Sequence, residues 1–323
     1  MKKIAVFTSG GDAPGMNACI RAVVRTGTYY QIEVMGILNG YEGMIDNTFV
    51  SMNEKSVSNI IQRGGTILKT ARSQRFLQPE GRKKALENLN AHQIEGIVAI
   101  GGDGTFKGAL ALSEQCHIPI VGCPGTIDND LVGTDFTIGY DTAINTVIEA
   151  VDKIRDTAES HNRLFVVEVM GRDAGLIALR SGIGAGAEAI LIPELKSDMN
   201  EMLEKLEKGR KDKSSKIILV AEGDESGGAY KVMEAIKQKF GSIYDIRVSV
   251  LGHIQRGGSP TCMERVNASR MGHAAVKALL QGKSNIMVGI INGSIAYTSF
   301  EKAVKHIVEI KADLKELAEI LSV

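Results

Sequence analysis

Short apolar runs, most of which lack strict alternation, are the feature that most constrains how this chain can fold. Each run ends in Gly or a polar turn, and they are IAVF (4–7), GIVAI (96–100), IPIVG (118–122), LFVVEVM (164–170), AILIP (189–193), IILVA (217–221), VSVLG (248–252) and IMVGII (286–291). Strands of this kind are buried on both faces, as in a parallel sheet covered by helices. Segments with helical spacing, such as Val147, Val151 and Ile154, lie between the runs. This alternation predicts a doubly wound α/β architecture.

Length, charge and cysteine content narrow the class of protein. A chain of 323 residues exceeds one typical domain, so two domains are expected. Its 38 basic and 38 acidic residues cancel, which gives no bulk electrostatic argument for a nucleic-acid partner. The four cysteines form no CxxC pair and indicate free thiols in a reducing compartment. The apolar run at the start is too short for a signal peptide or a membrane span, so we expect a cytoplasmic protein with no membrane partner.

Apolar residues near the end of the chain also have helical spacing. They form two sets, Ala303, Ile307 and Ile310, then Leu314, Leu317 and Leu321. The spacing predicts amphipathic helices that pack back against the body.

Acidic residues follow two neighbouring apolar runs. GGDGT (101–105) follows GIVAI, and PGTIDND (124–130) follows IPIVGC. Ligands of open α/β sheets lie beyond the carboxyl ends of the strands, so Asp103, Asp128 and Asp130 are predicted to face one crevice. The glycines that flank Asp103 let bare backbone approach a phosphate. This combination indicates phosphoryl transfer with a divalent metal, for which Mg²⁺ is the expected cofactor.

Each of these acidic residues has an alternative role. Asp103 is a candidate Mg²⁺ ligand, whereas in a plain turn it would cap the next helix. Asp128 and Asp130 point to opposite sides if their segment is extended, and they can converge if it is a turn. One could accept the proton of a sugar hydroxyl that attacks the terminal phosphate, and the other could orient Mg²⁺. For Asn129, an Asx-turn without a catalytic role is the alternative.

A glycine turn and several arginines add candidate anion-binding groups. In TSGGDAPGMN (8–17), Gly10 and Gly11 permit close approach of an anion before a helix, although many such turns bind nothing. Arginine binds phosphate bidentately. The arginines near strand ends are Arg72, Arg163, Arg172, Arg247 and Arg256, with His253 close by. Arg21 and Arg25 stand one helical turn apart, where like charges repel, so their helix face either meets solvent or holds an anion.

Taken together, these motifs resemble the bacterial ATP-dependent 6-phosphofructokinases nearly from end to end. The matching segments, in order, are TSGGDAPGMN, RGGT (63–66), GGDGT, PGTIDND, GTDFTIGYDTA (133–143), IRDTAESHNR (154–163), EVMGR (168–172), AEG (221–223) and LGHIQRGGSP (251–260). The resemblance implies the reaction of ATP with fructose 6-phosphate to give ADP and fructose 1,6-bisphosphate, with Mg²⁺. It makes Asp128 the catalytic base and puts Asp103 in the metal site.

The resemblance also implies the remaining site residues. Those implied to bind the nucleotide are Gly11, Arg72, Ser73, Gly102, Asp103, Gly104 and Thr105. Those implied to bind the sugar phosphate are Thr126, Asp128, Arg163, Met170, Gly171, Arg172, Glu222, Arg247, His253 and Arg256. The family is homotetrameric, and Arg163 and Arg247 match residues that reach the substrate site of the neighbouring subunit.

Two Rossmann-like domains with largely parallel sheets, the phosphofructokinase fold, are the implied architecture. Both domains are discontinuous: an ATP-binding domain of residues 1–138 plus about 251–300, and a sugar-phosphate-binding domain of residues 139–250 plus about 301–323.

The family also has an effector site between subunits that takes ADP or phosphoenolpyruvate. The matching residues are Arg21, Arg25, Arg155, Gly186, Glu188, Lys211 and Lys213. The chain departs from some relatives at Glu54 and Asn59, which replace Arg and Asp, and at Ser214 and Ser215, which replace a more basic pair. The strength and identity of the effector therefore stay open.

Three alternatives differ in the phosphoryl donor, the type of kinase or the presence of catalysis. Pyrophosphate-dependent relatives carry Asp for the last Gly of GGDG, which is Gly104 here, and Lys for the Gly of PGTIDND. Gly104 and Gly125, which are expected to leave space for a nucleotide α-phosphate, therefore favour ATP. NAD kinases and lipid kinases with GGDG lack PGTIDND, EVMGR and HIQRGG. A nucleotide-responsive sensor without catalysis is disfavoured because Asp103 and Asp128 are both present.

Overall fold

The structure is a computed structural model that describes residues 1–161, 163–195, 199–208, 215–306 and 310–321. The chain divides into two compact units. The first contains Met1–Thr142 and Arg256–His306, and the second contains Ala143–Gln255 and Ile307–Val323.

Strands and helices alternate along most of the chain. The strands are β1 (Lys3–Thr8), β2 (Glu33–Ile37), β3 (Phe49–Met52), β4 (Ile97–Gly101), β5 (Ile120–Thr126), β6 (Ile138–Gly139), β7 (Arg163–Val169), β8 (Ala189–Leu191), β9 (Lys216–Ala221), β10 (Asp245–Val250), β11 (Ile286–Ile291) and β12 (Ser294–Ser299). The helices are α1 (Met16–Tyr29), α2 (Gly40–Ile45), α3 (Pro79–Ala91), α4 (Asp103–Ser113), α5 (Tyr140–His161), α6 (Leu176–Gly184), α7 (Met199–Lys208), α8 (Ala229–Phe240), α9 (Cys262–Leu280) and α10 (Ala312–Leu321).

The first unit is built on a mainly parallel sheet with the strand order β12-β11-β5-β4-β1-β2-β3, and β6 pairs with β5. Only β3 and β12, at the two edges of this order, pair antiparallel with their neighbours. The register aligns Thr8 with Ile100, and Gly101 with Pro124. The carboxyl ends of β1, β4 and β5 therefore lie side by side, and the loops that follow these three strands begin next to one another.

The core of this sheet explains why its strands lack alternation. Every residue of β4 is buried, and only Lys3 of β1 is partly exposed, because helices cover both faces. Gly122 in β5 admits the stacked rings of Phe106 and Phe300, since a Cβ there would lie 2.4 Å from the Phe106 ring and 2.7 Å from the Phe300 ring. The prediction of doubly covered parallel strands is confirmed for this sheet.

The second unit contains an entirely parallel sheet with the order β10-β7-β9-β8. The residues of β9 are all buried, whereas β10 is an edge strand with partly exposed residues. One apolar cluster covers this sheet with residues of α7 and α8, including Leu203, Leu206, Val232 and Ile236.

Sequence reasoning missed β2, β3, β6 and β12. β12 is a poor match to the apolar-run criterion because it is an edge strand with no fully buried residue. The prediction for the end of the chain needs correction: Ala303 is buried in a turn rather than in a helix, and Ile307 lies outside the described residues. α10 does form, but it buries none of its residues, and Leu317, Ile320 and Leu321 are exposed.

No helix within the described ranges is both long enough and apolar enough to cross a lipid bilayer.

Candidate active site

Asp103 is the first residue of α4, directly beyond the carboxyl end of β4. Gly102 before it is extended, so the turn from strand to helix takes place within one residue. The Asp103 side chain is 23% exposed, and its Oδ2 lies 2.6 Å from Nζ of Lys107. Its Oδ1 accepts a hydrogen bond of 3.3 Å from the backbone N–H of Lys305. The Asp103 side chain therefore lies at the N-terminus of α4, next to one lysine ammonium group and one backbone N–H.

Asp128 and Asp130 lie in a turn rather than in an extended segment. β5 ends at Thr126, whose Oγ1 accepts a hydrogen bond of 3.2 Å from the N–H of Asp128. Asn129 is left-handed, with φ of 54°, and its Oδ1 accepts a 2.7 Å bond from the N–H of Thr137. The turn leaves Asp128 only 2% and Asp130 only 5% exposed. Asn129 therefore has the turn-forming role that the sequence left as its alternative.

A segment near the end of the chain contacts Asp103 and Asp130, which follow β4 and β5 and, with Asp128, are called here the acidic tips of this sheet. Nζ of Lys305 lies 3.6 Å from Oδ2 of Asp130, and the N–H of His306 donates to the carbonyl of Asp130 at 3.0 Å. Lys305 therefore bonds to Asp103 through its backbone and to Asp130 through its side chain. Within the residues that the structure describes, no group of three or more His, Cys, Asp or Glu side chains is placed to hold a metal ion. The three carboxylates predicted to share one crevice do not converge closely enough to hold a metal by themselves.

Two glycines beside Asp103 leave open space. A Cβ at Gly104 would meet no atom within 4 Å, and a Cβ at Gly102 would meet only the Thr126 side chain, at 3.9 Å. Gly125 does not leave open space. The expectation that it makes room for a nucleotide α-phosphate therefore needs correction. A Cβ there would lie 2.8 Å from Met16 and 3.3 Å from the Gly101 nitrogen, so Gly125 serves the packing of β5 against α1 and β4.

The glycine turn after β1 lies beside Arg256. Nη1 of Arg256 donates to the Asp12 carbonyl at 3.3 Å, and a Cβ at Gly11 would lie 2.9 Å from the same atom. Thr105 fixes the turns after β1 and β4 to each other, because its Oγ1 donates to the Ser9 carbonyl at 3.2 Å. α1 begins only at Met16, so the loop separates its N-terminus from Gly11.

Arg72 and Ser73 lie in a surface segment of the first unit. Arg72 is exposed, whereas Ser73 is partly buried and its Oγ accepts a hydrogen bond of 3.0 Å from the N–H of Phe76.

In the second unit, the predicted sugar-phosphate residues cluster around the turn that follows β7. Met170 and Gly171 are buried, and Arg172 is exposed with a left-handed φ of 53°. Oε1 of Glu222 accepts hydrogen bonds from the N–H groups of Gly171, at 3.4 Å, and of Arg172, at 2.8 Å. The N–H of Met170 donates to Oε1 of Gln255 at 3.2 Å. His253 is exposed in a short 3-10 turn, Gly252–Arg256.

Arg163 and Arg247 share one carboxylate. Nε of Arg163 lies 2.8 Å from Oδ2 of Asp245, and Nη1 of Arg247 lies 3.1 Å from Oδ1. The hydrogen bond from Arg163, with the positive charge of Arg247, lowers the pKa of Asp245 below its ordinary value. The two guanidinium groups are thereby held side by side at the amino ends of β7 and β10.

Comparison with known proteins identifies the family. The family model described as phosphofructokinase matches residues 3–279. The chain belongs to the phosphofructokinase family. It is 54% identical over 323 residues to an ATP-dependent 6-phosphofructokinase of Cytophaga hutchinsonii, with 100% of this chain and 98% of that protein covered. It is 55% identical to ATP-dependent 6-phosphofructokinase 1 of Thermus thermophilus, over the whole of both chains.

Solved phosphofructokinase structures share the fold. A phosphofructokinase from Saccharomyces cerevisiae has a TM-score of 0.86 and 36% identity over 99% of this chain, which spans 46% of that longer chain. A pyrophosphate-dependent phosphofructokinase from Marinobacter aquaeolei has the same TM-score of 0.86 at 22% identity, over 99% of this chain and 91% of that one. At that identity the likeness concerns the fold alone. The predicted phosphofructokinase fold is confirmed.

The residues that match the family's effector site fall into two groups. Arg21 is partly buried and Arg25 exposed on α1, and burial together with the charge of Arg25 lowers the pKa of Arg21. In the second unit, Nη2 of Arg155 donates to the carbonyls of Ala185, at 2.5 Å, and Gly186, at 3.2 Å. Oε2 of Glu188 accepts a 2.5 Å bond from the N–H of Ile217. Lys211, Lys213 and Ser214 lie outside the described residues.

Sequence reasoning missed two residues that contact candidate site residues, Gln255 in the second unit and Lys305 in the first. Gln255 is fully buried and lies in the motif LGHIQRGG; its position between the candidate ligands His253 and Arg256 was the available signal. Lys305 lies in no motif and contacts residues distant in sequence, so its sequence neighbours could not predict these contacts.

Proposed function

We propose that this chain is an ATP-dependent 6-phosphofructokinase that phosphorylates fructose 6-phosphate at its 1-hydroxyl to give fructose 1,6-bisphosphate in glycolysis. Its relatives of that name are 54% and 55% identical to it over the full length. The observation that carries the proposal is the pairing of Gly101 with Pro124. Because of this pairing, β4 and β5 end side by side, so the glycine turn with Asp103 and the turn with the buried Asp128 both follow neighbouring strand ends.

Asp128 is the proposed catalytic base. Its carboxylate is 2% exposed, so water competes little for its lone pairs. It would take the proton of the sugar 1-hydroxyl as that oxygen attacks the terminal phosphorus of ATP, and the ADP oxygen would leave. Such a base contributes about 10²–10⁴-fold to the rate. Asp130, which contacts Lys305, would shape the field around Asp128 rather than move the proton.

The proposed nucleotide cradle is the first unit's set of Gly11, Arg72, Ser73, Gly102, Asp103, Gly104 and Thr105. Support comes from the unobstructed space at Gly102 and Gly104 and from the N-terminus of α4, which offers free N–H groups to phosphate. The site also fits Mg²⁺, which takes one or two carboxylates and completes its shell with phosphate oxygens and water. Asp103 would hold it, and when bound it would neutralise charge on the transferred phosphoryl group.

The proposed sugar-phosphate contacts are Thr126 and Arg256 of the first unit with Arg163, Met170, Gly171, Arg172, Glu222, Arg247 and His253 of the second. Arg172 in its left-handed turn presents a guanidinium group that binds phosphate bidentately. Arg163 and Arg247, both paired with Asp245, would reach a neighbouring subunit's substrate in a homotetramer. The units that contain these residues would then act as an ATP-binding and a sugar-phosphate-binding domain in the cytoplasm.

The decisive test is a coupled assay of the purified chain with fructose 6-phosphate and Mg²⁺. We expect turnover with ATP and none with pyrophosphate. Turnover with pyrophosphate but not with ATP would show that the chain is a pyrophosphate-dependent phosphofructokinase. Binding of ATP without any turnover would show that it is a sensor that does not catalyse.

We also propose that Arg21, Arg25, Arg155, Gly186, Glu188, Lys211 and Lys213 bind an anionic effector, ADP or phosphoenolpyruvate. The support is the pair of like charges on α1, a pair that an anion would stabilise.

The effector proposal is tested by titrating each compound against the initial rate at subsaturating fructose 6-phosphate. In Arg25→Ala the effector concentration for half-maximal response should rise by about tenfold or more, because a charge-assisted bond to phosphate is lost. Lys84→Ala removes an exposed cation from α3 and should respond like the wild type. An unchanged response in Arg25→Ala would contradict the assignment.

A further inference from the structure

The turn formed by residues 170–175 lies between two carboxylates of the second unit. It follows β7, which lies between β10 and β9 in the sheet, and β8 lies beyond β9. Glu222 follows β9 and Glu194 follows β8, so the carboxyl ends of three strands meet around this turn. Glu222 contacts the start of the turn and Glu194 contacts its end.

At the end of the turn, Glu194 bonds to the backbone of Gly175. Oε1 of Glu194 accepts a hydrogen bond of 2.7 Å from the Gly175 N–H. A Cβ at Gly175 would lie 2.4 Å from Cβ of Ile192 and 2.6 Å from Oε2 of Glu194. Only glycine permits so close an approach. Because Gly175 is also the residue before α6, this contact fixes where the helix begins.

At the start of the turn, the segment after β9 packs directly on the backbone. Oε1 of Glu222 accepts the two hydrogen bonds from the N–H groups of Gly171 and Arg172. In addition, Gly223 lies so close to the turn that a Cβ there would collide with the Arg172 carbonyl. Within the turn, the N–H of Ala174 donates to the Gly171 carbonyl at 2.9 Å. Both ends of the turn are thus tied to neighbouring strand tips.

The turn needs such ties because its backbone is strained. Arg172 is a non-glycine residue in the left-handed region, a conformation that persists only where the surroundings impose it. Arg172 and its neighbours are the proposed sugar-phosphate contacts, so their positions depend on what holds the turn.

The surroundings of Glu194 indicate a side chain retained against a cost. Burial raises the pKa of Glu194, the nearby Asp224 carboxylate raises it further, and the Gly175 N–H partly offsets both. Among the described residues, no hydrogen-bond partner reaches Oε2 of Glu194, which is buried. We attribute the presence of a carboxylate at this partly buried position to its 2.7 Å hydrogen bond with the Gly175 N–H.

We propose that Glu194 is a positioning residue for fructose 6-phosphate: through its bond to Gly175 it fixes the 170–175 turn and hence the sugar-phosphate contacts of Met170, Gly171 and Arg172. This inference rests on the proposed function. Glu194 contacts the turn and not the substrate, so it acts on binding of the sugar phosphate and not on the phosphoryl transfer.

The experiment compares Glu194→Ala and Glu194→Gln in steady-state kinetics with both substrates. In Glu194→Ala, KM for fructose 6-phosphate should rise by about 10- to 100-fold, the usual effect of losing a hydrogen bond to a charged acceptor. The kcat and the KM for ATP should stay near the wild-type values. Glu194→Gln keeps an acceptor oxygen of the same reach, although a neutral one, and should bring KM most of the way back to the wild-type value. Calorimetric titration with fructose 6-phosphate, suited to a chain without Trp, should show the same loss and rescue of affinity.

Two further variants separate positioning from general damage. Ser181→Ala removes a buried hydrogen bond within α6, from Oγ to the Ile177 carbonyl, without touching the turn, and should leave KM unchanged. Glu194→Asp shortens the side chain and should give an intermediate KM, so it carries the test if Glu194→Ala does not fold.

Three results would overturn the inference: wild-type KM in both Glu194→Ala and Glu194→Asp, equal loss in Glu194→Gln, or a parallel rise in KM for ATP. A wild-type chain that phosphorylates no fructose 6-phosphate would instead overturn the proposed function.

Discussion

The two parallel sheets both end in acidic side chains, but these side chains have different partners. At the large sheet, the carboxylates of Asp103 and Asp130 contact the ammonium groups of Lys107 and Lys305. At the small sheet, Glu222 and Glu194 accept hydrogen bonds from backbone N–H groups. The Asp103 carboxylate also accepts a hydrogen bond from the Lys305 N–H, so the difference between the sheets is that, among the described residues, only the large one pairs these carboxylates with lysine ammonium groups.

This difference follows from what each partner can do. The Lys107 side chain is 64% exposed and flexible, so its ion pair with Asp103 can give way to another cation at little cost. A backbone N–H cannot leave its acceptor unless the whole turn moves. Carboxylates paired with lysine therefore suit the handling of phosphate and metal charge, and carboxylates bonded to backbone suit the shaping of a binding site.

The largest expected effect tests whether the acidic tips of the large sheet act chemically. Asp128→Asn should lower kcat by about 10²–10⁴-fold, because an amide cannot accept the hydroxyl proton. The affinity for ATP, measured by calorimetry, should change little. Asp130→Asn is the matched control, since Asp130 is similarly buried two residues away but contacts Lys305, and its effect on kcat should be smaller. An unimpaired kcat in Asp128→Asn would remove Asp128 from its role as base.

A second prediction tests the open space beside Asp103. Gly104→Asp should lower kcat/KM for ATP by about 100-fold or more, because a carboxylate placed beside phosphate charge costs several kcal/mol. The variant should fold, since a Cβ at Gly104 meets nothing within 4 Å. Gly104→Ala fits the same space without charge and should keep most of the activity. Full use of ATP by Gly104→Asp would show that this space is not where the nucleotide lies.

Much of this comparison could be read from the sequence, because it depends on local pattern. The apolar runs gave the buried strands, and GGDGT and PGTIDND gave the acidic tips, because a strand followed by a glycine turn is encoded within a few residues. The doubly wound sheets followed from that alternation. Weakly apolar edge strands such as β12 carry little of this signal and were missed.

What the sequence could not provide were contacts between distant segments. Lys305 bonds to two acidic tips, and Glu194 bonds to Gly175, only because strand order brings their segments together. The misjudged role of Gly125 has the same origin: whether a glycine opens space or admits a neighbour depends on Met16, which precedes it by more than one hundred residues. The tertiary packing of distant segments, and not residue type, decides such cases.

The smallest expected effect concerns a carboxylate of the first unit that is bonded to backbone, Glu264. It is 3% exposed, and Oε2 lies 3.4 Å from the backbone nitrogen of Thr142, so, as a carboxylate bonded to backbone, it should affect stability more than kcat. Burial, aided by the charge of Asp141, raises the pKa of Glu264 to about 7. In the unfolded chain this group ionises near pH 4.5. Between these values the unfolded state loses the proton while the folded state keeps it, so the contribution of Glu264 to stability falls as pH rises.

Glu264→Gln removes this titration and keeps the shape of the side chain. Relative to the wild type, the variant should gain up to about 3 kcal/mol in unfolding free energy between pH 4.5 and 7, from 1.36 kcal/mol per unit of pKa difference. The gain should appear in urea unfolding curves recorded by circular dichroism at one protein concentration, since oligomers unfold in a concentration-dependent way. Parallel stability curves for the two proteins across this range would mean that Glu264 stays ionised in the fold. The contrast between the two kinds of carboxylate would then not extend to this position.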